Sequence, residues 1–227
     1  MLHLFGDTHG SLEMHKVLNY LDENNEISTG DHIVILGDAG IYWDGGPNDG
    51  YTLHLLDKVP CQVLWIDGNH ENFELIKRLP ITEMYGGKVQ LTEGKDHIVH
   101  LMRGEIYEIE GHSFFVMGGG YSIDKPLRKE GVSWWSEEMP SDEDYLNAYE
   151  HLKERDFKVD YVLTHSCPRS VARLLVNHIQ PGEEVLQDHL EEYALNVDFK
   201  DWYFGHWHID RDLGKFHSLY FSTKTIE

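Results

Sequence analysis

Short apolar runs that end at polar side chains recur along the chain. Residues 32–36 form one such run, and Gly37 joins it to Asp38. An apolar run of this length, bounded by glycine, predicts a strand that is buried on both faces, as in a parallel sheet. Ligands of such sheets bind beyond the carboxyl ends of the strands. Similar runs come before four other polar groups, namely Asp7 with His9, Asn69 with His70, His165 alone, and His206 with His208.

The spacing of these runs predicts that one sheet supplies all of the polar residues. Asp38 lies midway between Asp7 and Asn69, and each interval matches the roughly 30 residues of a βαβ unit. The expected cluster has oxygen and nitrogen ligands without a thiolate, and it contains Asp7, His9, Asp38, Asn69, His165, His206 and His208. Because one metal ion needs fewer ligands, we predict a pair of divalent ions roughly 3.5 to 4 Å apart, bridged by Asp38.

The mixture of oxygen and nitrogen ligands indicates which metals fit. Imidazole nitrogen suits manganese, iron, zinc, nickel and cobalt, whereas magnesium and calcium prefer oxygen ligands alone. We therefore expect two divalent transition-metal ions as cofactors, with manganese as the first choice.

Other patterns predict helices and a second sheet. Helices are predicted at residues 11–22, 51–58, 72–79, 141–155, 168–176 and 185–193. Ser141 and Asp144 form a possible capping box at the start of the fourth. Short β-rich runs between residues 88 and 117 predict a second sheet. Residues 118–140 show no periodicity, and a loop of this length at the rim of a site is expected to be functional or mobile.

Composition limits the class of protein. A chain of 227 residues, of which 41% are hydrophobic, can form one packed α/β domain, and we expect residues 1–227 to be that domain. No run of about 18 apolar residues occurs, so no membrane-spanning helix is predicted. Since a metal ligand is predicted as early as Asp7, no cleavable signal peptide is expected, and we predict a cytoplasmic protein.

Five segments of the sequence resemble a known family. The signature blocks of the calcineurin-like metallophosphoesterases are similar, in order, to Gly6-Asp-Thr-His-Gly10, Gly37-Asp38, Gly68-Asn-His-Glu71, Thr164-His165 and Gly205-His-Trp-His208. Residues 118–124 and 131–137 resemble a bacterial and phage branch of this family. The resemblance implies an α/β sandwich, in which helices flank two packed mixed sheets. It also implies hydrolysis of phosphomonoesters or phosphodiesters by a hydroxide that bridges two metal ions.

The resemblance also implies roles for individual residues. One ion is expected to be held by Asp7, His9, Asp38 and His208. The other is expected to be held by Asp38, Asn69, His165 and His206. His70 resembles the family histidine that orients the phosphate and protonates the leaving oxygen. A structural interpretation stays open for two of these residues. Asn69 can be a turn residue, because Gly-Asn favours turns. His70 can be a structural histidine at the rim of the site.

The second block departs from that of the Ser/Thr protein phosphatases. Those enzymes continue the block with Asp-Arg, whereas residues 39–43 contain neither residue type. Arg128 and Arg169 are the available substitutes for the missing phosphate-binding arginine, and a solvated surface position is the alternative for each. Glu71 is interpreted either as a carboxylate that orients a histidine or as a charge at a helix N-terminus.

The charge of the chain restricts its partners. The formal net charge is −21, with 19 lysines and arginines against 40 acidic residues, so long nucleic acid is disfavoured as a substrate. A small or nucleotide-like phosphoester is compatible, because two divalent ions make a pocket locally positive. Its organic part is expected to pack on Tyr42, Trp43, Trp134 or Trp135. A protein phosphatase and a non-catalytic scaffold are the alternative functions, no membrane partner is expected, and no oligomeric state is predicted.

Overall fold

A computed structural model describes residues 1–179 and 181–227. The strands in these ranges are β1 (Leu2–Phe5), β2 (His32–Leu36), β3 (Gln62–Ile66), β4 (Ile81–Met84), β5 (Gly87–Thr92), β6 (Lys95–Leu101), β7 (Ile106–Ile109), β8 (His112–Met117), β9 (Tyr161–Thr164), β10 (Asp201–Phe204), β11 (Arg211–Leu213), β12 (Phe216–Ser218) and β13 (Lys224–Ile226). The α-helices are α1 (His15–Glu23), α2 (Pro47–Leu56), α3 (Phe73–Ile76), α4 (Asp142–Glu154), α5 (Arg169–Leu175) and α6 (Glu184–Asn196).

The strands form two mixed sheets that pack face to face. The first sheet has the order β13-β1-β2-β3-β6-β5-β4, and the second has the order β11-β12-β10-β9-β8-β7. Strands β1, β2, β3 and β6 run parallel in the first sheet, as do β8, β9, β10 and β12 in the second. Helices α1 to α3 cover the first sheet and α4 to α6 cover the second. This architecture confirms the expected α/β sandwich.

The side chains of β2 show how the layers are held together. Ile33 and Ile35 face a core shared with the helices, whereas Val34 and Leu36 face the core between the two sheets. All four side chains are fully buried, and each such burial contributes roughly 1.5–3 kcal/mol relative to exposure. Burial on both faces explains why this segment is uniformly apolar and does not alternate with polar residues.

The prediction that one sheet supplies all of the polar residues is wrong. Asp7 with His9, Asp38 and Asn69 follow β1, β2 and β3 of the first sheet. His165 follows β9 of the second sheet, and His206 and His208 follow β10. Both sheets contain parallel strands that are buried on two faces, so their sequence patterns are the same. The region of β-rich runs at residues 88–117, predicted to form a second sheet, is also divided, because β5 and β6 extend the first sheet and only β7 and β8 join the second.

Local sequence signals predicted the positions of the helices more accurately than the residues at which the helices begin and end. Helix α4 begins at the predicted capping box, where Ser141 Oγ accepts from the backbone N–H of Asp144 (3.2 Å) and the Asp144 carboxylate accepts from that of Ser141 (2.7 Å). Helix α2 begins earlier than predicted, because the fixed φ of Pro47 suits a first helical turn. Within the described residues, no helix combines the length and the hydropathy needed to cross a membrane.

Residues 118–140, here called the rim segment, are anchored to the end of β3. Asp67 follows that strand, and its carbonyl oxygen accepts from the backbone N–H of Gly119 (2.9 Å). The half-buried Arg103 donates from Nε to Asp67 Oδ2 (2.7 Å) and from Nη2 to the carbonyl oxygen of Glu137 (2.8 Å). Burial alone would raise the pKa of Asp67, but the charge of Arg103 holds it at about 2. The rim segment is therefore joined to the same loop that carries Asn69.

Candidate metal centre

The predicted ligands come together where the carboxyl ends of strands from both sheets meet. They extend from the loops after β1, β2, β3, β9 and β10. Four of them are buried, at Asp7, Asp38, Asn69 and His165. His9 and His206 are half-buried, and His208 is exposed. Most of the predicted ligands are thus shielded from solvent.

Asp38 lies at the centre of the cluster. Its Oδ1 atom is 3.5 Å from His165 Nε2, and its Oδ2 atom is 3.5 Å from His9 Nε2. The side chain is 2% exposed. The two oxygens of one buried carboxylate therefore face two different groups of donors.

One group of donors surrounds His9. The ligand atoms of Asp7, His9 and His208 all lie within 4.8 Å of one another, and His208 Nε2 is 3.0 Å from Asp7 Oδ2. His9 Nδ1 is 3.2 Å from Glu13 Oε2, which leaves Nε2 directed at Asp38. The sequence reasoning missed Glu13, although its position four residues after His9 was a signal for such a contact.

The other group of donors surrounds His165. Its Nδ1 atom donates to the carbonyl oxygen of Leu36 (2.8 Å), so its Nε2 atom is the one available to a metal ion, and this atom lies 3.1 Å from Asn69 Oδ1. His206 Nε2 lies 3.3 Å from Glu183 Oε1, which leaves His206 Nδ1 as its available ligand atom. An outer carboxylate or carbonyl of this kind fixes the tautomer of a metal-binding histidine. No local pattern in the sequence indicated Glu183.

The cluster has a negative potential that stabilises cations. Burial alone lowers the pKa of His9, but the hydrogen bond and the charge of Asp38 raise it to about 9. The same balance raises the pKa of His165 to about 10. Burial raises the pKa of Asp7, yet the contacts with His208 and His165 hold it below its ordinary value. Because protons and metal ions compete for such sites, this set of donors fits divalent cations.

The backbone around the cluster is strained and closely packed. Eight non-glycine residues among those described have positive φ, and half of them are predicted ligands, namely His9, Asp38, His206 and His208. Such conformations cost of order 1–3 kcal/mol each and concentrate at functional sites. At Gly68, a Cβ atom would lie 2.2 Å from Asp38 Oδ1 and 2.8 Å from His165 Nε2. Only glycine allows this loop to approach both groups.

His70 and Arg128 lie beside the cluster and contact each other. Arg128 Nη2 is 2.6 Å from His70 Nδ1, and Arg128 Nε pairs with Asp124 (2.8 Å). His70 Nε2 lies 4.0 Å from Asp38 Oδ2. Arg169 instead forms its ion pair with Asp188 of α6 (2.8 Å). Of the two arginines predicted from the sequence, the structure therefore places Arg128 beside His70.

Comparison with protein families decides the class of this site. The family profile of the calcineurin-like phosphoesterases matches residues 2–210. The chain belongs to this family. The match confirms the resemblance seen in the five sequence blocks, and with it the enzyme class, which is metal-dependent hydrolysis of phosphoester bonds.

Solved structures include two of similar shape. One is a protein from Staphylococcus aureus assigned as a 5′-nucleotidase, with a TM-score of 0.49 and 14% identity, where the match covers 96% of this chain and 48% of the other. The chain thus spans about half the length of that protein. The second is phosphopantetheinyl hydrolase from Mycobacterium tuberculosis, with a TM-score of 0.45 and 16% identity, covering 96% of this chain and 89% of the other. Comparison with curated proteins found no match.

The four aromatic residues expected around the substrate of this phosphoesterase lie in different surroundings. The Trp43 indole stacks on the His70 ring, with centroids 5.5 Å apart and planes at 11°. Tyr42 and Trp135 instead pack in the core beneath the first sheet. Trp134 lies on the rim segment, under the ammonium group of Lys125 (3.9 Å). The structure thus places Trp43 against a residue of the site.

Glu71 joins two loops of the phosphoesterase site, a role that neither sequence interpretation anticipated. Its side chain is 1% exposed. Glu71 Oε1 accepts from the backbone N–H of Ala39 (2.8 Å), and Oε2 accepts from that of Gly68 (2.7 Å). Burial and the charge of Asp38 raise the pKa of Glu71 well above its ordinary value. The side chain therefore holds the loops that follow β2 and β3 at a fixed separation.

We expect Glu71→Gln to destabilise the protein by about 1–3 kcal/mol. The amide of glutamine would direct an N–H group at one of the two backbone donors and leave it unpaired. The free energy of unfolding in urea, measured at neutral pH, tests this expectation. Glu74→Gln is the matched control, because Glu74 is an exposed glutamate of α3. Equal stability of the two variants would contradict the joining role of Glu71.

Proposed function

We propose that this phosphoesterase binds two divalent ions and hydrolyses phosphomonoesters or phosphodiesters of small or nucleotide-like alcohols. The observation that carries the proposal is the position of Asp38, whose two oxygens face separate groups of donors. A carboxylate in that position fits a bridge between two ions. The proposed ligands are Asp7, His9, Asp38 and His208 for one ion, and Asp38, Asn69, His165 and His206 for the other.

The donor chemistry supports a transition metal at both sites. Each proposed set contains imidazole nitrogen together with oxygen, which favours manganese, iron, zinc, nickel or cobalt over magnesium and calcium. Two such ions, when bound, hold the phosphoryl oxygens and lower the pKa of a bound water towards neutrality. We propose manganese as the first candidate.

His70 is proposed to donate a proton to the leaving oxygen. Arg128 Nη2 lies 2.6 Å from Nδ1 and 3.2 Å from Nε2 of His70, so the guanidinium fixes the position of the ring. Burial lowers the pKa of His70, and the charge of Arg128 adds to this effect against the opposing charge of Asp38. Only the imidazolium form is acidic enough to give up this proton, and the charge of Asp38, whose Oδ2 atom lies 4.0 Å from Nε2, favours that form.

Metal analysis and a substrate panel test the proposed function together. Protein treated with a chelator and reloaded with Mn²⁺ should bind about two ions per chain. It should then hydrolyse some members of a panel of phosphomonoesters, phosphodiesters, cyclic nucleotides, dinucleoside polyphosphates and phosphopeptides. One ion per chain at saturation would contradict the paired centre. Loss of all metal binding would favour a scaffold, and activity confined to phosphopeptides would favour a protein phosphatase.

We expect Arg128→Ala to raise KM about tenfold or more while metal content stays near that of the wild type. The guanidinium lies beside His70, where it can contact a phosphoryl oxygen through a charge-assisted hydrogen bond. Arg169→Ala is the control, because that arginine pairs with Asp188 on α6. Steady-state kinetics on any substrate found in the panel give the comparison. An unchanged KM in Arg128→Ala would remove this arginine from the substrate site.

A further inference from the structure

Two cavities adjoin His70. The first has a volume of about 520 Å³ and contains Asp38, Asn69, His206 and His208 of the metal centre. The second, here called the Trp43 pocket, has a volume of about 380 Å³, and its lining includes Leu12, Trp43, Asn48, Thr52 and His70. Because His70 borders both cavities, a molecule bound at the metal centre can extend past this ring into the Trp43 pocket.

The charge of the Trp43 pocket differs from that of a phosphate site. Neither lysine nor arginine is among its described lining residues. Its carboxylate, Asp49, is 5% exposed and accepts from the backbone N–H groups of Trp43 (3.0 Å) and Gly45 (2.8 Å). The histidines of the lining, His9 and His70, are assigned to a metal ion and to the leaving oxygen, so a second phosphate would find no lysine or arginine there. A neutral organic group fits this lining.

Contacts of its backbone and stacking on His70 hold Trp43 in place. Its backbone N–H group donates to Asp49, and its backbone carbonyl oxygen accepts from Asn72 Nδ2 (3.2 Å). The indole lies parallel to the His70 ring, yet 41% of the residue remains exposed. An aromatic surface that is already fixed and still accessible loses little conformational entropy when a second ring packs on it.

We propose that the Trp43 pocket binds an aromatic heterocycle carried by the leaving alcohol of the substrate, as in a nucleoside. This inference rests on the proposed function, because it uses the position of His70 next to the leaving oxygen. With the phosphoryl group at the metal centre, the alcohol continues past His70 towards the indole. The ring stacks on Trp43, and the amide of Asn48 is available for the polar edge of the ring.

A pair of substrates with the same type of leaving oxygen tests the proposal. Adenosine 5′-monophosphate and ribose 5-phosphate are both primary alkyl phosphates, and they differ in the presence of the base. We expect Mn²⁺-loaded wild-type protein to prefer the nucleotide in kcat/KM by about tenfold, the share expected of one ring stacked on an indole. Trp43→Ala should lose this preference, and Trp43→Phe should keep most of it.

Two control variants test whether the preference for the nucleotide depends on Trp43 or on an indole outside the Trp43 pocket. Trp134→Ala removes an indole of the rim segment that is not part of the pocket lining, so it should keep the preference. Trp207→Ala removes an indole that lines the first cavity. If Trp207→Ala abolishes the preference while Trp43→Ala retains it, the organic group binds in the first cavity and the proposal is overturned. The same holds if the wild type hydrolyses both substrates equally well.

Binding of adenosine alone provides a test that does not need turnover. Adenosine should quench indole fluorescence in the wild type and in Trp134→Ala, and the quenching should fall to background in Trp43→Ala. If the protein hydrolyses no member of the panel but shows this pattern of quenching, the proposed function is refuted and the Trp43 pocket is supported. If the protein hydrolyses phosphoesters but the quenching does not depend on Trp43, binding of the ring in the Trp43 pocket is refuted and the proposed function is supported.

Discussion

Asp38→Asn should remove at least one of the two proposed ions from the purified protein and abolish most of its activity. The side chain would change from a charged carboxylate, with oxygens 3.5 Å from both His9 and His165 nitrogens, to a neutral amide with one oxygen. Two cations a few ångströms apart would then lose the negative charge that offsets their repulsion. We expect metal affinity to fall by more than the roughly 10- to 100-fold that follows loss of an outer hydrogen-bond partner.

Asn69→Ala is the informative comparison for this variant. Asn69 Oδ1 lies beside His165 Nε2 (3.1 Å), so the change removes one neutral ligand from one ion only. The ion bound by Asp7, His9 and His208 should largely remain. Metal per chain, measured for both variants after dialysis against the same free Mn²⁺ concentration, gives the order of the two effects. Full metal content and activity in Asp38→Asn, with loss of both ions in Asn69→Ala, would show that Asp38 is not the bridge.

His70→Ala should reduce turnover by roughly 10² to 10⁴ fold, the usual share of a positioned general acid, without loss of metal. The hydrogen bond between this residue and the ligand set is made by the backbone, because His70 N donates to Asp38 Oδ1 (2.7 Å). Alanine keeps that hydrogen bond. His54→Ala is a matched control, since His54 is an exposed histidine of α2, and it should leave turnover unchanged.

The leaving group distinguishes the two parts of the role proposed for His70. An alkyl ester needs a proton on its departing oxygen, whereas a nitrophenyl ester hardly does. We expect the activity lost in His70→Ala to be much larger for the alkyl ester. Equal losses for both esters would leave only phosphate positioning as the role of this ring.

The sequence alone predicted most strands and the residues that follow them. The limits of β2 agree with the apolar run at residues 32–36, and β3 and β9 lie just before Asn69 and His165 as predicted. Burial on both faces and bounding glycines are local properties of the chain. The same runs indicated the seven proposed ligands, which the structure brings together. The chemistry of their side chains was sufficient to predict metal binding and to exclude thiolate coordination.

Only the tertiary structure decided which sheet each of those strands joins and which residues around the proposed ligands hold the site together. Strands of both sheets have the same pattern, so their membership depends on long-range pairing such as that of β6 with β3. The contact of Arg128 with His70 joins residues that are 58 positions apart, and the contact of Glu71 with Ala39 joins residues that are 32 apart. Hydrogen bonds across such distances depend on packing, which hydrophobic periodicity does not encode.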